Sequence, residues 1–307
     1  MRKSQLLHAR LVRFALAAVT AAVLILTVNA APRPGAPAAV GARVIPAAAP
    51  AATVLEYKMP TGRLLTYQIK TEQAQVMEVM GQSMDTQTTN TSTVTFKGKG
   101  LKEKNFLMGV TIDDIAATVT SSAQGDMSPN MSAVKGKSFD MVLSPLGSEV
   151  DVSGAEAITY DVATETRNIS SGFKMFFPDM PGKPVKVGDT WPSSAGLDEK
   201  TGSMNIRIDF QNVNTLEGFE TINGMECARI SSQVTGTITG SGSQGGADLT
   251  FAGTSKGKDM TYFAVKEGIY IKGTSESTTQ MSIDVAAQNV TIPMTQTSKG
   301  EVKLTSH

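Results

Sequence analysis

Histidine is almost missing from this 307-residue chain: there are two, His8 and His307, near opposite ends. Nucleophile systems of the Ser-His-Asp or Cys-His kind need an imidazole to take the proton, and protein zinc sites rely mostly on His and Cys. With one cysteine, Cys227, and no histidine between the termini, both chemistries lack their parts and no metal is expected. A single cysteine also rules out an intrachain disulfide. Cys227 lies in a strand-like run and reads as a small buried hydrophobe. An excess of either charge is lacking too, with 28 Lys and Arg against 28 Asp and Glu. Four of the basic residues (Arg2, Lys3, Arg10, Arg13) and no acidic one fall in the first 30 positions, so the remainder is slightly acidic. That balance excludes nucleic acid as a partner, since its phosphates demand a basic face, and it shows no polybasic patch for an anionic membrane.

What the first 30 residues do contain is a signal-peptide pattern. A basic n-region precedes the apolar run Phe14–Val28, and Val28-Asn29-Ala30 is a small-residue cleavage site. The apolar run of 15 residues is short of the roughly 20 a membrane-spanning helix needs. The expectation is an exported chain, periplasmic or extracellular, and soluble after cleavage. Residues 31–53 are Pro/Ala-rich without periodicity and read as a semi-extended linker.

From Val54 onward apolar residues alternate with Thr, Ser, Gly and charged residues, the period of a half-buried strand. Leu65, Tyr67 and Ile69 begin the pattern, Val94 and Phe96 continue it, and Phe106, Met108, Val110 and Ile112 keep strict alternation. The parity flips at Asp113-Asp114, which predicts a β-bulge instead of a pair of converging catalytic carboxylates. Residues 81–90 are polar and read as a turn. Residues 138–153 read as a hairpin turning at Pro145-Leu146-Gly147. The second half repeats the style, with strands at Met204–Phe210, Ala228–Ile238, Leu249–Phe251, a hairpin over 258–272, and strands about Met281, Ile292 and Val302.

Between the halves the pattern changes. Ile169, Phe173, Phe176 and Phe177 fall at i, i+4, i+7 and i+8, predicting a helix over about 155–177 that Pro178 ends. The following PDMPGKPVKVGDTW is too proline-rich for regular structure and predicts a fixed extended crossing over 178–192, with Pro184 and Gly188 as structural positions and Trp191, the one tryptophan, as its buried anchor. The expected organisation is therefore a first β-rich half with a terminal helix (54–177), the crossing, and a second β-rich half (193–307). The fold class is mainly β: two similar antiparallel, curved, half-barrel-like sheet halves with the helix and the crossing packed over them.

The hairpins GKSFDMVLSPLGSEVDVSG and GKDMTYFAVKEGIYIKGT share a Gly-Lys start, an alternation and a turn glycine, which is consistent with duplication. Together with KPVKVGDTW and NGMECARI these segments resemble a bacterial family of exported β-rich proteins known as a domain of unknown function. The resemblance spans roughly residues 54–304. Its motifs are turns and strands, so it implies location and fold and carries no reaction. More loosely, the architecture is similar to half-barrel envelope proteins that wrap a lipid in a curved sheet.

Several motif matches lack the context that would give them meaning. Gly240-Ser241-Gly242-Ser243-Gln244-Gly245 fits a dinucleotide fingerprint, but a strand-like run follows it where a helix must. No cofactor is expected. Ser132-Ala133-Val134-Lys135 and Lys200-Thr201-Gly202 echo serine β-lactam enzymes without the third motif. Methionine is frequent, with 16 residues, and suits surfaces that accept varied apolar ligands. The candidate ligand-binding residues are Phe173, Met175, Phe176, Phe177, Met108 and Met141; the phenylalanines would cap a cavity or plug the open end of the sheet. Three readings follow. The chain is a non-catalytic binder of a lipid or other apolar small molecule. It is a structural or interaction module whose partner is an envelope protein. Or it is a hydrolase using carboxylates alone, which requires two acids converging in a cleft.

Overall fold

The computed structural model describes residues 52–307 apart from Met80, Ala163, Thr164 and Gly245. The expected signal peptide and nearly all of the Pro/Ala-rich linker lie outside the described residues. Fourteen strands follow in order: β1 (Leu64–Val79), β2 (Gln82–Lys102), β3 (Asn105–Ser121), β4 (Gly125–Asp126), β5 (Ser138–Leu143), β6 (Glu149–Asp151), β7 (Thr159–Val162), β8 (Glu165–Asn168), β9 (Thr190–Thr201), β10 (Met204–Ile222), β11 (Met225–Gln244), β12 (Ala247–Ala264), β13 (Ile269–Val285) and β14 (Val290–Ser306).

Twelve of them form one antiparallel sheet in the order β6-β5-β3-β2-β1-β14-β13-β12-β11-β10-β9, with β4 on β3, while β7 and β8 pair separately. The sheet is curved and is not closed into a barrel; β6 and β9 are its edges. The two expected halves are joined at the seam where β1 pairs β14, from Thr66↔Ser306 to Met77↔Met294. The chain thus starts at the centre, works out to one edge at β6, crosses to the other edge at β9, and returns to the centre.

Alternation explains why these segments are strands and which face is buried. Along β10, Met204, Ile206, Ile208 and Phe210 point inward while Asn205, Arg207 and Asp209 face solvent. The outer face carries Thr, Gln, Lys and Glu, as in Gln68, Lys70 and Glu72 of β1. That polarity is the reverse of a bilayer-spanning barrel, whose outward face is an apolar band. The bulge expected at Asp113-Asp114 is present: the β2–β3 register shifts between Thr93 and Val94, and both aspartates are exposed.

The helix expected over 155–177 does not form. In its place are a 3-10 turn at Ser153–Ala157, the β7–β8 hairpin and a second 3-10 turn at Ser170–Phe173. Ile158, Thr159 and Val162 are β-branched and stiff at χ1, which favours strand, and Ser170-Ser171-Gly172 is a poor helix interior. Ile169, Phe173, Phe176 and Phe177 all reach the core because the 3-10 turn and the irregular segment after it present them there without a continuous helix. The polar stretch 81–90, expected as a turn, belongs mostly to β2: its residues Gln82–Val94 pair β1 throughout.

The inner face carries two apolar clusters. One holds Tyr67, Phe96, Phe139, Phe173, Phe176, Phe177, Trp191 and Tyr270; the other holds Met77, Met204, Ile208, Phe210, Phe251, Ile283 and Met294. Between them the buried inward residues are polar, including Gln75 and Thr86 on adjacent strands and Ser255, Thr279 and Gln296. The end nearest the first cluster is sealed by residues 53–59. Thr53 and Val185 exchange backbone hydrogen bonds of 2.8 and 2.9 Å, Tyr57 N–H donates to the Pro145 carbonyl, and Lys58 N–H donates to that of Gly268. The segment passes so close to Gly268 (φ +65°) that a Cβ there would lie 2.6 Å from Lys58 Cγ and 2.8 Å from the Glu56 carbonyl oxygen.

Candidate functional site

The strap formed by residues 169–180 enters the concavity on its way between the two sheet edges, and the site lies on either side of it. Its three phenylalanines plug the first apolar cluster. Phe173 meets Phe139 at a ring separation of 4.9 Å, Phe176 meets Tyr67 at 5.4 Å, and Phe177 meets Phe96 at 5.1 Å. Burying a ring of this size is worth roughly 1.5–3 kcal/mol, so the trio fixes the strap's depth. Polar bonds fix its path. Glu149 Oε1 accepts the Phe177 N–H at 2.8 Å and Oε2 accepts the Met175 N–H at 3.1 Å. Met175 takes a left-handed conformation (φ +72°) at that point, a strained backbone that the carboxylate holds in place. Tyr57 Oη donates to the Pro178 carbonyl and Trp191 Nε1 to that of Asp179. Trp191 is buried at the strap's exit. Gly188, at φ +91°, donates its N–H to the Leu216 carbonyl, and Pro184 is exposed beside buried Val185.

Two cavities flank the strap and share Lys174, Met175 and Phe176 as a common wall. The smaller, about 160 Å³, faces β1–β3 and is lined mainly by Ile69, Val94, Ile112, Ile115, Ala117, Met131 and Phe173. The larger, about 400 Å³, faces β9–β13 and is lined by Phe210, Tyr270, Asn212, Asn214, Ser232 and three acids: Glu149, Asp179 and Asp259. Of the expected site residues, Phe173, Met175 and Phe176 line the smaller cavity, and Met175, Phe176 and Phe177 the larger. Met108 and Met141 pair across β3 and β5 in solid core and line neither.

The acids differ in what they are doing. Both oxygens of Glu149 are engaged by the strap, and burial pushes its carboxyl up to about 8 against those bonds. Asp179 is also raised by burial, opposed by hydroxyl donors from Ser193 and Ser148. Asp259, on β12, is pushed up to about 7 by burial alone, and its Oδ1 is shielded from solvent without a hydrogen-bond partner. Opposite it, the Tyr270 phenol is raised by burial and by the charge of Asp259. Its hydroxyl fits only because residue 273 is glycine: a Cβ there would overlap Tyr270 Oη. The amide side chains are mostly spent. Asn214 Nδ2 donates to Ser193 Oγ and the Trp191 carbonyl, Ser232 Oγ donates to Asn214 Oδ1, and Asn212 Nδ2 donates to Ser193 Oγ.

Among the described residues no cluster of three or more His, Cys, Asp and Glu is arranged to hold a metal ion. Cys227 is fully buried, its thiol 3.5 Å from the Met225 carbonyl, and burial raises it. Of the fingerprint-like glycines, Gly240 and Gly242 lie within β11, paired with Phe251 and Leu249 of β12, so a strand stands where the dinucleotide motif needs a helix. Neither the acids nor the amides of the larger cavity were among the expected site residues. Asp259 stands in a Thr/Lys-rich part of β12, and only its shared parity with Leu249, Phe251 and Phe263 marks it as inward.

Comparison with family models gives no match, and comparison with curated proteins gives none. Among solved structures the chain is similar to an outer-membrane channel from Pseudomonas putida F1 (10% identity, 81% of this chain and 97% of the other, TM-score 0.25). It is also similar to a protein described as exported, with a YmcC-like fold, from Bacteroides fragilis NCTC 9343 (8%, 82% and 97%, TM-score 0.23). A third is a DUF1329 family protein from Desulfovibrio piger ATCC 29098 (7%, 78% and 85%, TM-score 0.17). At these scores the chain's own geometry has to carry the functional reading.

Proposed function

We propose that this is an exported, non-catalytic binding protein for a small amphiphile, held in the paired cavities beneath the strap. The observation that carries the reading is the shared wall: Lys174, Met175 and Phe176 line both a mainly apolar space and one of mixed polar and apolar lining. Such a pair suits a molecule with an apolar tail and a polar head. The combined space falls within the range of small-molecule sites, roughly 300–1,000 Å³. A lipid or other apolar ligand would place its tail in the smaller cavity, whose lining is mainly apolar. Export rests on the basic n-region, apolar run and cleavage site of residues 1–30. The non-catalytic reading rests on the acids: two carboxylates free to act as acid and base are needed for hydrolysis, and here Glu149 and Asp179 are already bonded.

The test is organic extraction of the protein isolated from its own cells, followed by mass spectrometry. A single amphiphilic species in stoichiometric amount is expected, lost in Ala117→Trp, which fills the smaller cavity. A protein that yields no amphiphile and does not take up decan-1-ol on incubation ends the reading.

A further inference from the structure

Resting on that reading, we infer that the larger cavity takes a positively charged ammonium head, with Asp259 as its counter-ion. The argument starts from what the cavity still lacks. Its amide donors and the Ser232 hydroxyl are committed within the lining, through the bonds among Asn212, Asn214, Ser193 and Ser232. The polar atoms of its lining left out of solvent without a partner, Asp259 Oδ1 and Asn212 Oδ1, are both acceptors. A ligand that completes this site must donate, and an ammonium brings several donors together with the charge a buried carboxylate demands.

The surroundings point the same way. The charged and titratable groups sharing the cavity with Asp259 are Glu149 from β6, Asp179 and Lys174 from the strap, and Tyr270 from β13. Among these lining residues three acids face a single cation. Lys174 and Arg167 offset the burial of Glu199 on β9, whereas burial is the sole influence on Asp259. An anionic head would be repelled by each of these acids that ionises, and a neutral head would leave an ionised Asp259 without a counter-charge. Phe210, Phe176 and Tyr270 supply aromatic walls, which tolerate a cation better than an anion.

The experiment is calorimetric titration of the intact protein with three probes of equal tail length: decylammonium, decan-1-ol and decanoate. Decylammonium should bind at least tenfold tighter than decan-1-ol, with decanoate weakest. Its affinity should fall about tenfold from pH 8 to pH 6, because protonating Asp259 removes the counter-ion. Asp259→Asn should bring decylammonium down to the affinity of decan-1-ol and leave the alcohol unchanged. Decan-1-ol or decanoate binding as tightly as the amine overturns the inference and leaves the amphiphile reading standing. Failure of all three probes removes both. Should Asp259→Asn not fold, the pH series on the unaltered protein decides: a flat profile overturns the assignment.

Discussion

Glu149 and Phe177 are joined by a hydrogen bond of 2.8 Å from the backbone N–H of the strap to a carboxylate on the edge strand β6. The same carboxylate holds the N–H of Met175, so one side chain closes the sheet's edge over the segment that divides its interior. Glu149→Ala leaves two buried donors unpaired. At about 1–3 kcal/mol for each orphaned group, the variant should lose roughly 2–6 kcal/mol of stability, read as a lower urea midpoint. A midpoint unchanged from the parent would show that water or a shift of the strap replaces the clamp.

The Tyr270 hydroxyl and Gly273 make a second test of the cavity's shape. Gly273→Ala would drive a methyl group into the phenol oxygen, and a rigid ring pinned in a packed core yields little. A cost of about 1–3 kcal/mol is expected. In a Tyr270→Phe background the nearest ring atom lies 3.0 Å from the added Cβ, so part of that cost should be recovered. Thermal melts of the two single variants and the double measure this coupling; strictly additive effects would mean the two positions do not meet.

How far the sequence foretold this molecule depends on which residues carried the signal. Strands with apolar alternation, such as Met204–Phe210, were legible because burial and periodicity agree there. The bulge at Asp113-Asp114 was legible from a change of parity. The N-terminal part of β2 was not: Thr86 and Thr88 face inward but look like surface or turn residues, since the polar belt gives both faces of the strand the same chemistry. The helix expected over 155–177 does not form, because Ile169, Phe173, Phe176 and Phe177 reach one core from a short 3-10 turn and an irregular segment. The cluster of phenylalanines and the one tryptophan stand out in composition. The acids of the larger cavity were hidden, because only the folded sheet brings β6, the strap and β12 together.

The segment that seals the end of the sheet gives a test remote from the cavities. Gly268→Ala places a methyl group against Glu56 and Lys58 at a residue whose φ of +65° disfavours any side chain. The change should cost about 1–3 kcal/mol and loosen residues 53–59, read as faster amide hydrogen exchange at Tyr57 and Lys58. Protection at those amides equal to the parent's would separate the seal from the turn.

Stability against pH should expose Asp259 directly. Its ordinary value is 3.8 and the folded value is about 7, so the folded protein binds the proton more tightly than the unfolded chain does. Stability from this group is therefore full below about pH 4, falls as pH rises between about 4 and 7, and is flat above that. Every tenfold gain in proton affinity corresponds to about 1.4 kcal/mol, and partial access of the cavity to water reduces the total to about 2 kcal/mol. Asp259→Asn carries no charge in either state, so it should match the parent at pH 4 and exceed its stability by about that amount at pH 8. Decylammonium, by supplying the missing counter-charge, should stabilise the parent at pH 8 and leave the asparagine variant nearly unmoved. Denaturant titrations at the two pH values, with and without the amine, separate these outcomes. A variant no more stable than the parent at pH 8 would mean that the carboxylate finds its solvation inside the cavity and has no need of a cation.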